Sequence, residues 1–211
     1  VGPIMHLLLT FLLAFLPAIS SATTDDVSFQ RYITSIGLQV SSIQAETREV
    51  KNGKLIAGFA RQDDCKSEDT KGVLFVVLQK LDGTIKELGR TPFFELSACR
   101  KVMFEAINFQ SDTRFEVQYR HGLNSTETYQ FAFRSGTWLV SGREYNYVQY
   151  SACDEGVGDS RTHWSGNFLT GQTLKKIYRC KRLVEESRAK VPFPNFLFIG
   201  FEPFDSIYGP R

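Results

Sequence analysis

Residues 129–140 read Tyr-Gln-Phe-Ala-Phe-Arg-Ser-Gly-Thr-Trp-Leu-Val, and no other stretch restricts the fold of this chain as much. Apolar and polar residues alternate on both sides of Ser135-Gly136. That period of two puts one row of side chains on a core and the other in water, and the glycine accepts the positive φ that a tight turn needs. A hairpin closed at Ser135 and Gly136 sets Phe133 opposite Trp138 and Phe131 opposite Val140. Such aromatic and β-branched cross-strand pairs contribute roughly 0.2–1 kcal/mol each, on top of the larger gain from burying the rings.

The same grammar recurs along the chain. Asn52-Gly53 joins a strand ending near Val50 to residues 54–60. Asp82-Gly83 joins 72–78, a continuous apolar run that reads as a strand buried on both faces, to 84–88. Further strands are expected at 114–121, 127–134, 137–140, 144–150, 162–169 and 172–179, with Gly, Asn, Asp or Ser in almost every connection. The fold class is therefore mainly β, with antiparallel hairpins and a meander forming a sandwich or barrel-like sheet. One or two short helices accompany it. Asp25 or Asp26 can cap the first, whose apolar positions Phe29, Tyr32, Ile33 and Ile36 fall at helical spacing before Gly37. Residues 181–190 read as a short charged helix or turn stopped by Pro192. Residues 93–107 have mixed periodicity and fit neither element.

The chain has 211 residues and a net charge of +2, which gives no reason to expect nucleic acid. Its length suits one core, or two small β-rich units, 23–110 and 111–190, sharing one. Residues 5–22 begin at a plausible initiator Met5. They carry an apolar run of about ten residues, the helix-breaking Pro17 and small residues at Ser20 and Ala22, the pattern of a secretory signal cut after Ala22. No transmembrane segment is expected after that cut, and the mature domain is read as 23–190, periplasmic or secreted. Residues 191–211 form an aromatic, proline-containing tail. Its five phenylalanines between Phe193 and Phe204 call for burial, along the sheet or on a partner.

Export makes the four cysteines an oxidised set. A hairpin folded at Asp82-Gly83 brings Cys65 towards Cys99, and Cys153 and Cys180 flank the turn at 169–172. Both bridges, Cys65–Cys99 and Cys153–Cys180, are expected, each removing on the order of 3 kcal/mol of unfolded-state entropy.

Chemistry-bearing patterns are sparse. Asp159, His163 and Ser165 supply the residue types of a hydrolase triad, but within seven residues and without the convergence that catalysis requires. Phosphate loops, dinucleotide fingerprints and His-Glu-x-x-His are not found. The spaced carboxylates and glycines of 154–160 suit a disulfide-anchored turn better than a Ca²⁺ loop, since the alternation and closing glutamate of an EF-hand are missing. Asp63, Asp64, Glu68 and Asp69 read as a solvated loop, and Lys175, Lys176, Arg179, Lys181 and Arg182 as a basic rim. The sequence assigns no catalytic residue, metal or cofactor, and the expectation is a binding protein rather than an enzyme.

Ser141-Gly142-Arg143-Glu144-Tyr145 follows directly on the Trp138 strand. Phe131-x-Phe133-x-x-Gly136-x-Trp138, together with Asn167-Phe-Leu-Thr-Gly171, resembles a β-hairpin module of exported proteins of Gram-negative bacteria. Ser-Gly-x-x-Tyr is similar to the loop motif of periplasmic lysozyme inhibitors, a group that includes immunity proteins against secreted peptidoglycan hydrolases. Their second motif, Tyr before Thr-Lys-Gly or Thr-Lys-Glu, is absent. The resemblance implies a protein partner, a cell-wall hydrolase, and a binding loop made of Ser141, Gly142, Arg143 and Tyr145. In that picture Ser141 and Arg143 engage the carboxyl groups of a muramidase cleft and Tyr145 anchors in it. An envelope structural or secretion-associated component, and an unrecognised hydrolase, are the alternatives.

Overall fold

The computed structural model describes residues 27–38, 43–61, 71–92, 94–95, 102–121, 123–153 and 156–191. The expected signal segment, the expected helix cap at Asp25 or Asp26, the expected Cys65–Cys99 bridge, the acidic loop around Cys65 and the tail from Pro192 lie outside them.

Among the described residues one helix, α1 (Val27–Ser35), precedes twelve strands: β1 (Ile43–Val50), β2 (Gly53–Arg61), β3 (Lys71–Lys80), β4 (Ile85–Arg90), β5 (Phe94–Glu95), β6 (Val102–Ser111), β7 (Arg114–His121), β8 (Ser125–Arg134), β9 (Thr137–Cys153), β10 (Gly156–Asn167), β11 (Gln172–Arg179) and β12 (Arg182–Lys190). The first sheet runs β1-β2-β3-β4 with β5 on β3, and the second runs β12-β11-β10-β9-β8-β7-β6 in strict sequence order. All pairings are antiparallel. The mainly β, hairpin-built class read from the sequence is what the chain adopts, as a sandwich.

Three layers stack. On one face of the first sheet Leu55, Ala57, Phe59, Leu74 and Val76 meet Phe115, Val117, Tyr119, Phe131, Trp138 and Val140 of the second sheet in a single core. Phe59 and Tyr119 cross it edge to face, and Phe115 stacks on Phe131 at 4.7 Å. On the opposite face Ile56, Ala60, Val73, Phe75 and Val77 receive Phe29 and Ile33 from α1. Strand β3 is thus covered on both sides, as its unbroken apolar run requires. Gly58 makes room within this layer, because a Cβ there would stand 2.1 Å from the Phe75 ring.

The helix ends as its sequence directs. Gly37 has φ 80, Gly37 N–H donates to Thr34 and Leu38 N–H to Ile33, and Leu38 is buried, the Schellman arrangement with its apolar contact. The Asn52-Gly53 and Asp82-Gly83 hairpins form, joining β1 to β2 and β3 to β4. So does the Ser135-Gly136 hairpin, with Phe133 facing Trp138 and Phe131 facing Val140. Part of the mixed periodicity of 93–107 has a physical cause: β6 carries a bulge with Glu105 as the extra residue, which resets the side chains facing the core, and a second with Gln110 follows beyond that stretch.

Residues 182–190 are a strand, and not the short charged helix or turn expected of 181–190. Cys180 and Lys181, with φ 52 and 67, make the two-residue turn that returns the chain along β11, and pairing with β11 overrides local helix propensity. The Cys153–Cys180 bridge is present, with Cα atoms 5.9 Å apart. Its geometry differs from the simple hairpin expected of it. Cys153 ends β9 and Cys180 follows β11, so the bridge spans the intervening β10 at Gly158.

Candidate functional site on the outer face of the second sheet

The segment that the sequence marks as a binding loop lies inside a strand. Gln130 faces Gly142 while Phe131 faces Val140, which leaves Ser141 as the extra residue of a β-bulge in the 17-residue β9. The Ser141 hydroxyl donates to the Gln130 carbonyl at 3.0 Å, and Phe168 N–H donates to the Ser141 carbonyl at 3.0 Å. A Ser-Gly pair serves a bulge as readily as a turn, and here strands on both sides hold it extended.

The bulge divides the four candidate residues between two faces. Arg143 pairs with Tyr129, and Tyr145 with Glu127, on the inner side of the sheet. The Arg143 guanidinium is ion-paired to Glu127, the two side chains being 11 % and 2 % exposed. Tyr129 Oη donates to the same carboxylate at 2.9 Å, and the guanidinium carbon lies 5.7 Å and 5.8 Å from the Tyr129 and Trp164 ring centres. Burial, reinforced by the Glu127 charge, holds the Tyr119 and Tyr129 hydroxyls well above the usual tyrosine range. Tyr145 is raised chiefly by burial, opposed by its hydrogen bond with Ser125. Arg143 thus spends its charge inside the fold.

Ser141 and Gly142 belong to the outer side. There a row of residues crosses five strands, Gln130, Gly142, Asn167, Gln172 and Lys190. Beside it runs Thr128, Glu144, Ser165, Leu174 and Arg188. These rows line a depression of about 570 Å³ with Gln130, Glu144, Asn167, Gln172, Arg188 and Lys190 at its walls. A second depression of about 400 Å³ continues past Gln130 and Asn167 to Arg114, Glu116, Arg134, Ser141 and Leu169. Gly142 stands between Gln130 and Asn167 in the first row, and a Cβ there would meet Gln130 Oε1 at 2.7 Å and Gly166 O at 3.0 Å. Gln130 Nε2 reaches Glu144 Oε1 at 3.4 Å. Asn167 Oδ1 accepts from the amides of Leu169 and Thr170, which fixes the turn at the trough's rim.

The remaining candidates resolve individually. Asp159 pairs with Arg161, and His163 Nδ1 lies 2.8 Å from Asn146 Oδ1. With Ser165 they stand along one face of one strand, four and then two residues apart at about 3.3 Å per residue, so they do not converge. Gly156–Ser160 pairs with Gln149–Cys153 as the start of β10 rather than forming a loop; Asp154 and Glu155 lie outside the described residues. Among the described residues no three His, Cys, Asp or Glu side chains are grouped to hold a metal ion. The basic rim is split between the two faces and partly neutralised, Lys175 by Glu185 and Lys176 by Glu186. No described helix is long and apolar enough to cross a membrane.

The fold and this face define a helix-backed antiparallel β-sandwich with a polar trough on its larger sheet. In comparisons with known proteins, no family model matches the chain, and no curated protein or solved structure matches it significantly.

Proposed function

We propose that this is an exported, non-catalytic binding protein that engages another macromolecule through the outer face of its seven-stranded sheet. The carrying observation is the trough itself, a surface of amides, hydroxyls and opposite charges on a sheet whose other face, along β6 to β9, is core. Polar side chains fixed on paired strands are held ready for a partner at low entropic cost. The Cys153–Cys180 bridge is compatible with an oxidising compartment.

The partner to test first is the peptidoglycan hydrolase implied by Ser-Gly-x-x-Tyr. In this reading Ser141 and Gly142 belong to the docking face, whereas Arg143 and Tyr145 hold it in shape. The test is titration calorimetry and lytic assay with muramidases, comparing wild type with Gln172→Ala and Lys190→Glu. Saturable binding weakened tenfold or more by either variant supports the reading. Binding that both variants leave unchanged refutes the trough as the docking face.

A further inference from the structure

Among the described residues, strand β12 is the last of the second sheet, and no described strand pairs with its outer edge. All nine of its residues are exposed, including Leu183 at 49 % and, just beyond its end, Val191 at 41 %. From Gln172 to Ile177 its pairing with β11 is regular. Val191 N–H donates to the Gly171 carbonyl at 2.7 Å. Inward-bonding residues alternate in an antiparallel pair, so Ala189, Ser187 and Glu185 also bond toward β11. The main-chain N–H and C=O groups of Lys190, Arg188 and Glu186 then point away from the sheet. Such an edge is a template for another strand unless its side chains forbid pairing.

We infer that this edge pairs with β12 of a second copy, antiparallel, about a two-fold axis through Ser187. In that register Glu186 faces Arg188 of the second copy and Arg188 faces its Glu186, so one favourable charge pair is made twice. The same register matches outward-bonding residues to outward-bonding residues, as a ladder requires. Neighbouring registers are opposed: an axis through Arg188 sets arginine on arginine, and an axis through Glu186 sets glutamate on glutamate. The existing Arg188–Glu186 contact at 2.9 Å joins side chains 76 % and 32 % exposed, a surface pair that exchange with an identical neighbour replaces without loss. A two-fold interface of one self-complementary patch is the commonest form of association. It would join two seven-stranded sheets and carry the trough, whose end is Arg188 and Lys190, across the axis.

Light scattering on the mature chain tests this, with circular dichroism to confirm that each variant is folded. Wild type is expected at twice the monomer mass, Arg188→Glu at the monomer mass, and Glu186→Arg/Arg188→Glu again at twice it. Facing Ser187 residues form a non-hydrogen-bonded pair with Cα atoms about 4.5 Å apart, within disulfide range. Ser187→Cys is therefore expected to give an oxidised dimer, mapped by peptide mass to position 187, whereas Glu185→Cys and Ala189→Cys are not. A wild type that stays monomeric up to its solubility limit overturns the inference. So does an Arg188→Glu variant that remains dimeric, or crosslinking as efficient at 185 or 189 as at 187.

Discussion

A Cβ on Gly158 would stand 2.2 Å from Cys153 Sγ and 3.6 Å from Cys180 Sγ, so the bridge crosses β10 where the chain carries no side chain. Gly158→Ala is expected to cost about 1–3 kcal/mol in the oxidised protein, since the bridge cannot swing aside as a free side chain does. After reduction the Cys153 thiol can rotate away and most of that cost should vanish. Thermal melts with and without reductant measure the difference. An equal penalty in both states would contradict the steric account.

Arg143→Met leaves the Glu127 carboxylate buried without its cation and is expected to cost about 3–5 kcal/mol. Arg143→Met/Glu127→Leu should recover most of this, because the second change removes the stranded charge. Urea melts of wild type, both single variants and the double variant give the coupling directly.

Tyr119 and Tyr129 stay protonated in the folded state above the range where an exposed tyrosine ionises. Their folded pKa values exceed the unfolded value of about 10, so their contribution to stability is complete below that pH and declines above it. Ultraviolet titration should show tyrosines that ionise only as the protein unfolds, with the melting temperature falling steeply beyond about pH 10. Ionisation of all eight tyrosines in one early step, with the fold intact, would count against this burial.

Lys181 occupies the left-handed region at φ 67, where a side chain with a Cβ costs roughly 1 kcal/mol or more. Lys181→Gly or Lys181→Asn should stabilise the β11–β12 hairpin by up to about 1 kcal/mol. Hydrogen exchange of β12 amides would register it as slower opening.

Gly58→Ala forces a methyl group to within 2.1 Å of the Phe75 ring, which itself packs 6.1 Å from Phe29 of α1. A loss of about 1–3 kcal/mol is expected, with α1 amides losing protection first.

Where the period of two ran unbroken, the chain could be read ahead of its structure. The Phe133–Trp138 hairpin, the doubly buried β3 and the α1 helix with its stop at Gly37 all rest on local patterns that agree with their surroundings. Bulges defeat that reading. At Ser141, Glu105 and Gln110 one added residue reverses the facing of all that follows, and sequence does not distinguish a Ser-Gly bulge from a Ser-Gly turn. Residues 181–190 misled for another reason. Their turn uses cysteine and lysine where glycine or asparagine is usual, so nothing local announced a hairpin. The trough was illegible because it joins the polar halves of five alternating strands, and each half alone reads only as a solvent face.

The middle layer carries a cost that the finished fold conceals. Val73 to Val77 are apolar, rich in β-branched residues and covered from both sides, yet one cover ends with Trp138 and Val140, far along the chain. Until those residues arrive, one apolar face of the β2-β3-β4 layer lies uncovered, although β2 and β4 already occupy the edges of β3. Early docking of β8 and β9 shortens that exposure, and Lys80 at the end of β3 is a charge of the kind that guards an apolar strand against premature pairing.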